Sequence, residues 1–271
     1  MNALKKGLST REAQFLAELS GSGRDVFTTL DAQKVLAKPD TAVRKTMHRL
    51  MKHKWIQQIE RGRYLIVPLS AGVDAHYTIS ELVIAASFTS PYYLSYRTAF
   101  IHFAWTEQPS RTVYIVTPHR RTSAALNGIT YKFVTLAPRK FFGAANAWIG
   151  DKSVEMADKE KALVDGLDHP EYCGGIIEVA KAIWHARDEV DWNKLSRYAK
   201  RMESGAVCKR LGFLVELFAL DDRIETSTLL DASSAGYALL DPLAGREGGY
   251  NSRWKLRLNV PERALTDWRE S

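Results

Sequence analysis

One short stretch, Thr41 to His53, restricts what this chain can fold into more than any other. Turning ~100° per residue from Thr41 places Arg44, Lys45, His48, Arg49 and Lys52 within an arc of roughly 140° around it. Val43, Met47, Leu50 and Met51 fall on the opposite side. A helix divided in this way keeps its place only when neighbours cover the apolar side, so the flanking segments decide what it is for.

Those segments have a definite order. Ser9-Thr10-Arg11-Glu12 fits a capping box with Phe15, Leu16 and Leu19 as an apolar stripe behind it, which predicts a first helix ending near Gly21-Ser22-Gly23. Thr28 or Thr29 caps a short second helix carrying Leu30, Val35 and Leu36; Lys38-Pro39-Asp40 breaks it, and Asp40 is expected to cap the third. Downstream, Trp55 to Ile59 and Tyr64 to Val67 are β-prone runs around Glu60-Arg61-Gly62-Arg63, where Gly62 supplies the positive φ of a tight hairpin. Three helices and then a hairpin with Arg61 and Arg63 at its tip predict a winged helix-turn-helix over residues 1–68.

That arrangement predicts contact with double-stranded DNA. Cationic side chains on the third helix neutralise phosphates and release counterions, while Arg44, His48 and Arg49 carry donors suited to base edges and Thr41 stands at the end that enters a major groove. Arg61 and Arg63 are expected to reach the adjacent minor groove or backbone. The predicted DNA-binding set is Thr41, Arg44, Lys45, His48, Arg49, Lys52, Arg61 and Arg63. A basic face alone fits a solvated surface helix equally well; the hairpin behind it favours DNA.

Charge points the same way. The 271 residues carry 38 Lys+Arg against 31 Asp+Glu, a net of +7. Met1 to Pro68 hold thirteen basic and six acidic residues, and the remainder holds twenty-five of each, so the front quarter owns the whole excess. The length suggests about two domains at roughly 150 residues each, with the boundary expected in Ser70 to His76 and a second domain over 69–271. No apolar run approaches the ~18 to 20 residues of a membrane span. No signal peptide is visible, and two cysteines, Cys173 and Cys208, make no disulfide framework. The expectation is a cytoplasmic protein without a membrane partner.

Beyond the boundary the pattern is mixed. Helices are expected at Ile79 to Ser87, Ser95 to Phe103, Asp158 to Leu167, Gly175 to Ala186, Trp192 to Met202 and Val207 to Leu220. Strands are expected at Thr112 to Thr117, Thr130 to Val134 and Trp254 to Val260, with a turn at Asn127-Gly128. This gives an α+β class. No phosphate loop, dinucleotide fingerprint, H-E-x-x-H or C-x-x-C occurs. His169, Cys173, His185 and Cys208 match no usual zinc spacing. Around Lys159, Asp158 is expected to cap a helix, Glu160 and Lys161 to face solvent, and Ala157, Ala162 and Leu163 to pack. Tyr92, Tyr93, Tyr96, Phe100, Phe103 and Trp105 form an aromatic cluster better read as core than as a stacking platform. No catalytic residue, cofactor or metal is expected.

The segments Thr41-Ala42-Val43-Arg44-Lys45, Arg61-Gly62-Arg63-Tyr64 and Tyr92-Tyr93-Leu94-Ser95-Tyr96 together resemble the AbiEi antitoxins of bacterial type IV toxin-antitoxin systems, which act in phage defence. Met156 to Asp165 looks like that family's alanine and acidic-lysine-alanine-leucine helix, and Pro170 to Gly175 like its proline, tyrosine and glycine turn. The resemblance spans roughly Leu8 to Leu220, with Leu240-Asp241-Pro242 and Asn251 to Trp254 similar to the closing segment. It implies a repressor that binds inverted repeats in the promoter of its own operon, and a C-terminal domain that counters an AbiEii-like, nucleotidyltransferase-like toxin without a stable complex.

Two other readings stay open at this level. A nuclease or nucleotidyl-processing enzyme would need Asp151, Asp158 and Asp165 to converge on a metal. A ligand-responsive regulator would need the aromatic cluster to line a pocket.

Overall fold

The computed structural model of the chain describes residues 7–67 and 80–269 and divides into two compact units, Met1–Ser87 and Phe88–Ser271. The expected boundary at Ser70 to His76, and Ile79 of the expected fourth helix, lie outside the described residues. The fold is α+β. Among the described residues no helix is long and apolar enough to cross a membrane.

In the first unit, α1 (Thr10–Gly21) opens on the expected capping box: the Glu12 carboxylate accepts the Ser9 N–H at 3.0 Å and the Ser9 hydroxyl accepts the Glu12 N–H at 3.4 Å. A second box, Thr28 with Asp31, starts α2 (Thr29–Leu36), which ends at Ala37 in the left-handed region. The third helix, α3 (Asp40–Lys52), departs from expectation at its start. Pro39 holds the cap position and Asp40 is the first helical residue, without a capping bond. Its carboxylate favours the positive end of the helix from inside the first turn and accepts from Gln33 Nε2 at 3.1 Å.

Three short strands complete this unit: β1 (Val26–Thr28), β2 (Ile56–Glu60) and β3 (Arg63–Ile66), antiparallel in the order β1-β3-β2. The last two are the expected hairpin, turning at Gly62 with φ 77°. A three-residue strand such as β1 is too short to show alternation and was not expected. Its Phe27 nevertheless sits in the middle of the core, with the Phe15 ring edge-on and the Tyr64 ring stacked, each at 5.6 Å. Val43, Met47 and Leu50 of α3 pack into that core at no more than 1% exposure. Thr46 joins them, spending its hydroxyl on the Ala42 carbonyl at 3.1 Å. A short helix, α4 (Glu81–Ala86), follows.

The second unit is built on a six-stranded mixed sheet. Its strands are β4 (Tyr93–Leu94), β5 (Thr112–Thr117), β6 (Ala124–Leu126), β7 (Ile129–Thr135), β8 (Ala144–Ile149) and β9 (Lys152–Ala157), in the order β6-β7-β5-β4-β9-β8. Asn127 and Gly128, both at positive φ, make the expected turn between β6 and β7. Helices α5 (Arg97–His102), α6 (Lys159–Asp168), α7 (Ile176–Ala186), α8 (Trp192–Arg201) and α9 (Gly205–Leu217) fall close to the predicted spans. The β8 and β9 hairpin was not anticipated, because Ala144 to Ala147 offer no contrast between faces.

After α9 come α10 (Thr226–Asp231), β10 (Ala238–Leu239), β11 (Gly249–Asn251), β12 (Leu256–Leu258) and α11 (Glu262–Thr266), with the strands in the order β10-β12-β11. The last expected strand shrinks to Leu256–Leu258 because Trp254 turns into the core at 0% exposure instead of alternating.

Candidate nucleic-acid interface

Every polar position assigned to the outer side of α3 is exposed: Thr41, Arg44, Lys45, His48, Arg49 and Lys52. One face of a single helix therefore gathers six of the eight predicted residues. Two of them are already tied to carboxylates. Arg44 pairs with Asp40 at 2.7 Å, one turn back, while its side chain stays 73% exposed. Arg49 reaches α1, where its Nε donates to Glu12 Oε1 at 2.7 Å. Burial raises the Glu12 carboxyl, but its bonds with Ser9 and Arg49 outweigh that and hold it below the ordinary range. Thirty-seven positions separate the partners, so no local sequence signal announces the tie. The end of α3 is fixed by Lys54 at φ 58° and by the Trp55 N–H returning to the Leu50 carbonyl at 2.9 Å.

The hairpin contributes less than expected. Arg61 is exposed beside Gly62. Arg63 is not at the tip: it opens β3, paired in register with Thr28 and Glu60, and its side chain is only 24% exposed. Its Nε donates to Glu60 Oε1 at 2.9 Å and its Nη1 to the Ser87 carbonyl. Strand pairing turns this side chain inward, so of the eight predicted positions the exposed ones are those on α3 and Arg61.

The residues weighed for chemistry in the second unit are committed elsewhere. Asp158 caps α6 through the Lys161 N–H at 2.8 Å and pairs with Lys194 at 3.2 Å. Asp151 lies in the exposed β8 and β9 turn. Asp165 is fully buried, as is Lys161, and the two pair at 2.6 Å. The expectation that Glu160 and Lys161 face solvent is wrong, at 5% and 0% exposure. Helices packed on both sides of α6 cover the positions that an isolated amphipathic reading would leave wet. Asp165 Oδ2 also accepts from Ser95 Oγ at 2.7 Å and Tyr93 OH at 3.2 Å. Burial raises its carboxyl, against the pull of Lys161, Ser95 and Tyr93. Lys161 Nζ lies 4.3 Å from the Phe142 ring centre. Tyr96, buried next to this network, has φ 57° and ψ −138° and a hydroxyl with no partner among the described residues.

Both cysteines are buried free thiols. His169 bonds Glu171 at 2.9 Å, and no group of three potential metal ligands forms among the described residues. Tyr93, Tyr96, Phe100 and Trp105 are at most 1% exposed. These four are core, as expected, whereas Tyr92 and Phe103 are half-buried.

No family model matches the sequence, and no curated protein matches it. Among solved structures, the crystal structure of the RV2827C protein from Mycobacterium tuberculosis aligns with 99% of this chain and 98% of that one, with a TM-score of 0.66 at 12% sequence identity. The likeness runs through both units.

Proposed function

We propose that the first unit is a winged helix-turn-helix that binds double-stranded DNA through α3, with Arg61 beside it, and that the chain represses its own operon at inverted repeats. One observation carries the reading. The polar side of α3 is exposed along three turns, and its opposite side is sealed by Phe15, Leu16, Phe27 and Leu36. The confinement of the net charge to the front quarter supports it. The test is binding to the region upstream of the gene in rising salt. Affinity is expected to drop on the order of a thousandfold between about 50 and 200 mM salt, and an undetectable or salt-insensitive interaction would sink the proposal. Lys45→Ala with His48→Ala is the cleanest variant, because among the described residues neither side chain is paired with a carboxylate, unlike Arg44 and Arg49.

We extend the proposal to the second unit as an AbiEi-like type IV antitoxin domain without catalytic activity, which counters its toxin without a stable complex. Its support is the resemblance through Tyr92 to Tyr96 and Met156 to Gly175, residues that converge here on the network of Tyr93, Ser95, Lys161 and Asp165. Expression with a nucleotidyltransferase-like neighbour gene tests it. Growth should be restored without a complex that survives gel filtration, and persistent toxicity would count against this part alone.

A further inference from the structure

The second unit carries a surface that promoter binding leaves unused. Tyr237, immediately before β10, is 50% exposed, and Tyr250, in the middle of β11, is 61% exposed. Their rings meet edge to face with centres 5.0 Å apart. The Lys255 ammonium lies 5.6 Å from the Tyr237 ring centre, and the Arg257 guanidinium 5.3 Å from that of Tyr250, its cross-strand partner. Among the described residues neither cation is paired with a carboxylate, and Arg257 Nε is enclosed without a hydrogen-bond partner.

The mount beneath this surface is tied down by buried contacts. Lys209, Gly212 and Glu216 recur at helical spacing along α9 and so share a face. Lys209 is fully buried and donates to Ser234 Oγ at 3.0 Å and to the Gly236 carbonyl, fixing the turn that leads into Tyr237. Gly212 makes room for Trp254, whose ring would stand 2.0 Å from a Cβ added there. Glu216 accepts from Trp254 Nε1 at 2.7 Å and from Arg253 Nε at 2.8 Å. Asn251 Oδ1 takes the Trp254 N–H at 2.8 Å, so the connection between Tyr250 and Arg257 is pinned at both ends. Among the described residues the Lys209 ammonium is held by neutral oxygens alone, a costly arrangement for a buried charge, and it fixes the loop that presents an exposed ring.

Two exposed rings, each with an unpaired cation beside it, complement a flexible polyanion that carries its own aromatic faces. We infer that this platform binds single-stranded nucleic acid, with bases stacking on Tyr237 and Tyr250 and phosphates meeting Lys255 and Arg257. A duplex hides its base faces and would leave the tyrosines without a role. An acidic peptide would use the cations and ignore the rings.

Fluorescence anisotropy of the full chain decides the matter, using a labelled mixed-sequence strand of about 12 nucleotides, offered as DNA and as RNA, beside the upstream duplex. Tyr237→Ala and Tyr250→Ala should each weaken single-strand binding about tenfold and leave the duplex affinity unchanged. Tyr250→Phe should keep it, and Lys255→Gln with Arg257→Gln should lower both the affinity and its salt dependence. Lys45→Ala with His48→Ala should do the reverse, losing the duplex and keeping the single strand, so failure of either site is distinguishable from failure of the other. Absence of single-strand binding in the wild type, alanine variants that bind like it, or displacement of the strand by the duplex would each overturn the inference. Thermal unfolding checks that the exposed substitutions leave the fold intact, and Tyr250→Phe decides if an alanine variant does not.

Discussion

Lys161 and Asp165 are the residues whose removal should be felt most. Both are fully buried and paired at 2.6 Å, and deleting one partner strands the other charge in the core. Asp165→Ala is expected to cost about 3–5 kcal/mol, read by denaturant unfolding. Replacing both with apolar residues of similar size should cost much less, and equal losses would mean that the pair is not coupled. Two carboxylates in the first unit set its acid limit. Glu12 and Asp31 are both held below their ordinary ranges, in each case by hydrogen bonds within a capping box and a nearby cation that outweigh the cost of burial. A depressed folded value means that the stabilisation is present above the unfolded value and is lost as pH falls through the folded one. Stability of the first unit should therefore decline below about pH 4.5, followed by circular dichroism; Glu12→Gln should shrink that decline. Arg49→Ala should lower stability as well as DNA affinity, since it releases Glu12, whereas Lys45→Ala should lower affinity alone.

At the level of elements, α3 was legible because its two sides differ in chemistry at a period near 3.6 residues. The capping box of α1, the hairpin through Gly62 and the Asn127-Gly128 turn were legible for the same kind of reason: each carries a local signal. What escaped was decided at a distance. β1 exists because β3 offers it a pairing edge, Arg63 turns inward because of its register with Thr28 and Glu60, and Lys161 is dry because other helices cover α6. The role of Gly212 was equally hidden, as a glycine inside a helix announces weakness rather than contact. Gly212→Ala tests it. A Cβ overlapping the Trp254 ring should destabilise the second unit by about 1–3 kcal/mol although alanine is the better helix former, and should shift tryptophan fluorescence. A more stable variant would show that the ring moves aside freely.

For the whole molecule, a net charge of +7 says little until it is placed. Arg44→Gln with Lys45→Gln, and Arg197→Gln with Lys200→Gln on α8, remove the same amount of charge from exposed positions. Only the first pair should weaken duplex binding and lower the salt slope, by about two units; equal effects would mean that total charge governs the interaction. This localisation was readable from the sequence, as was the α+β class. In the second unit the helices α5 to α9 and the strands β5 and β7 were readable from periodicity, but the buried network was not, because its ionisable side chains are absorbed into packing and leave no motif.

The grip of α9 on the two tyrosines has a consequence for how such chains diverge. Lys209 holds the turn before Tyr237, while Gly212 and Glu216 both seat Trp254, so none is free to drift alone. In relatives collected by sequencing, these three positions should be kept or lost together with Tyr237, Tyr250 and Trp254, while the neighbouring positions of the helix vary.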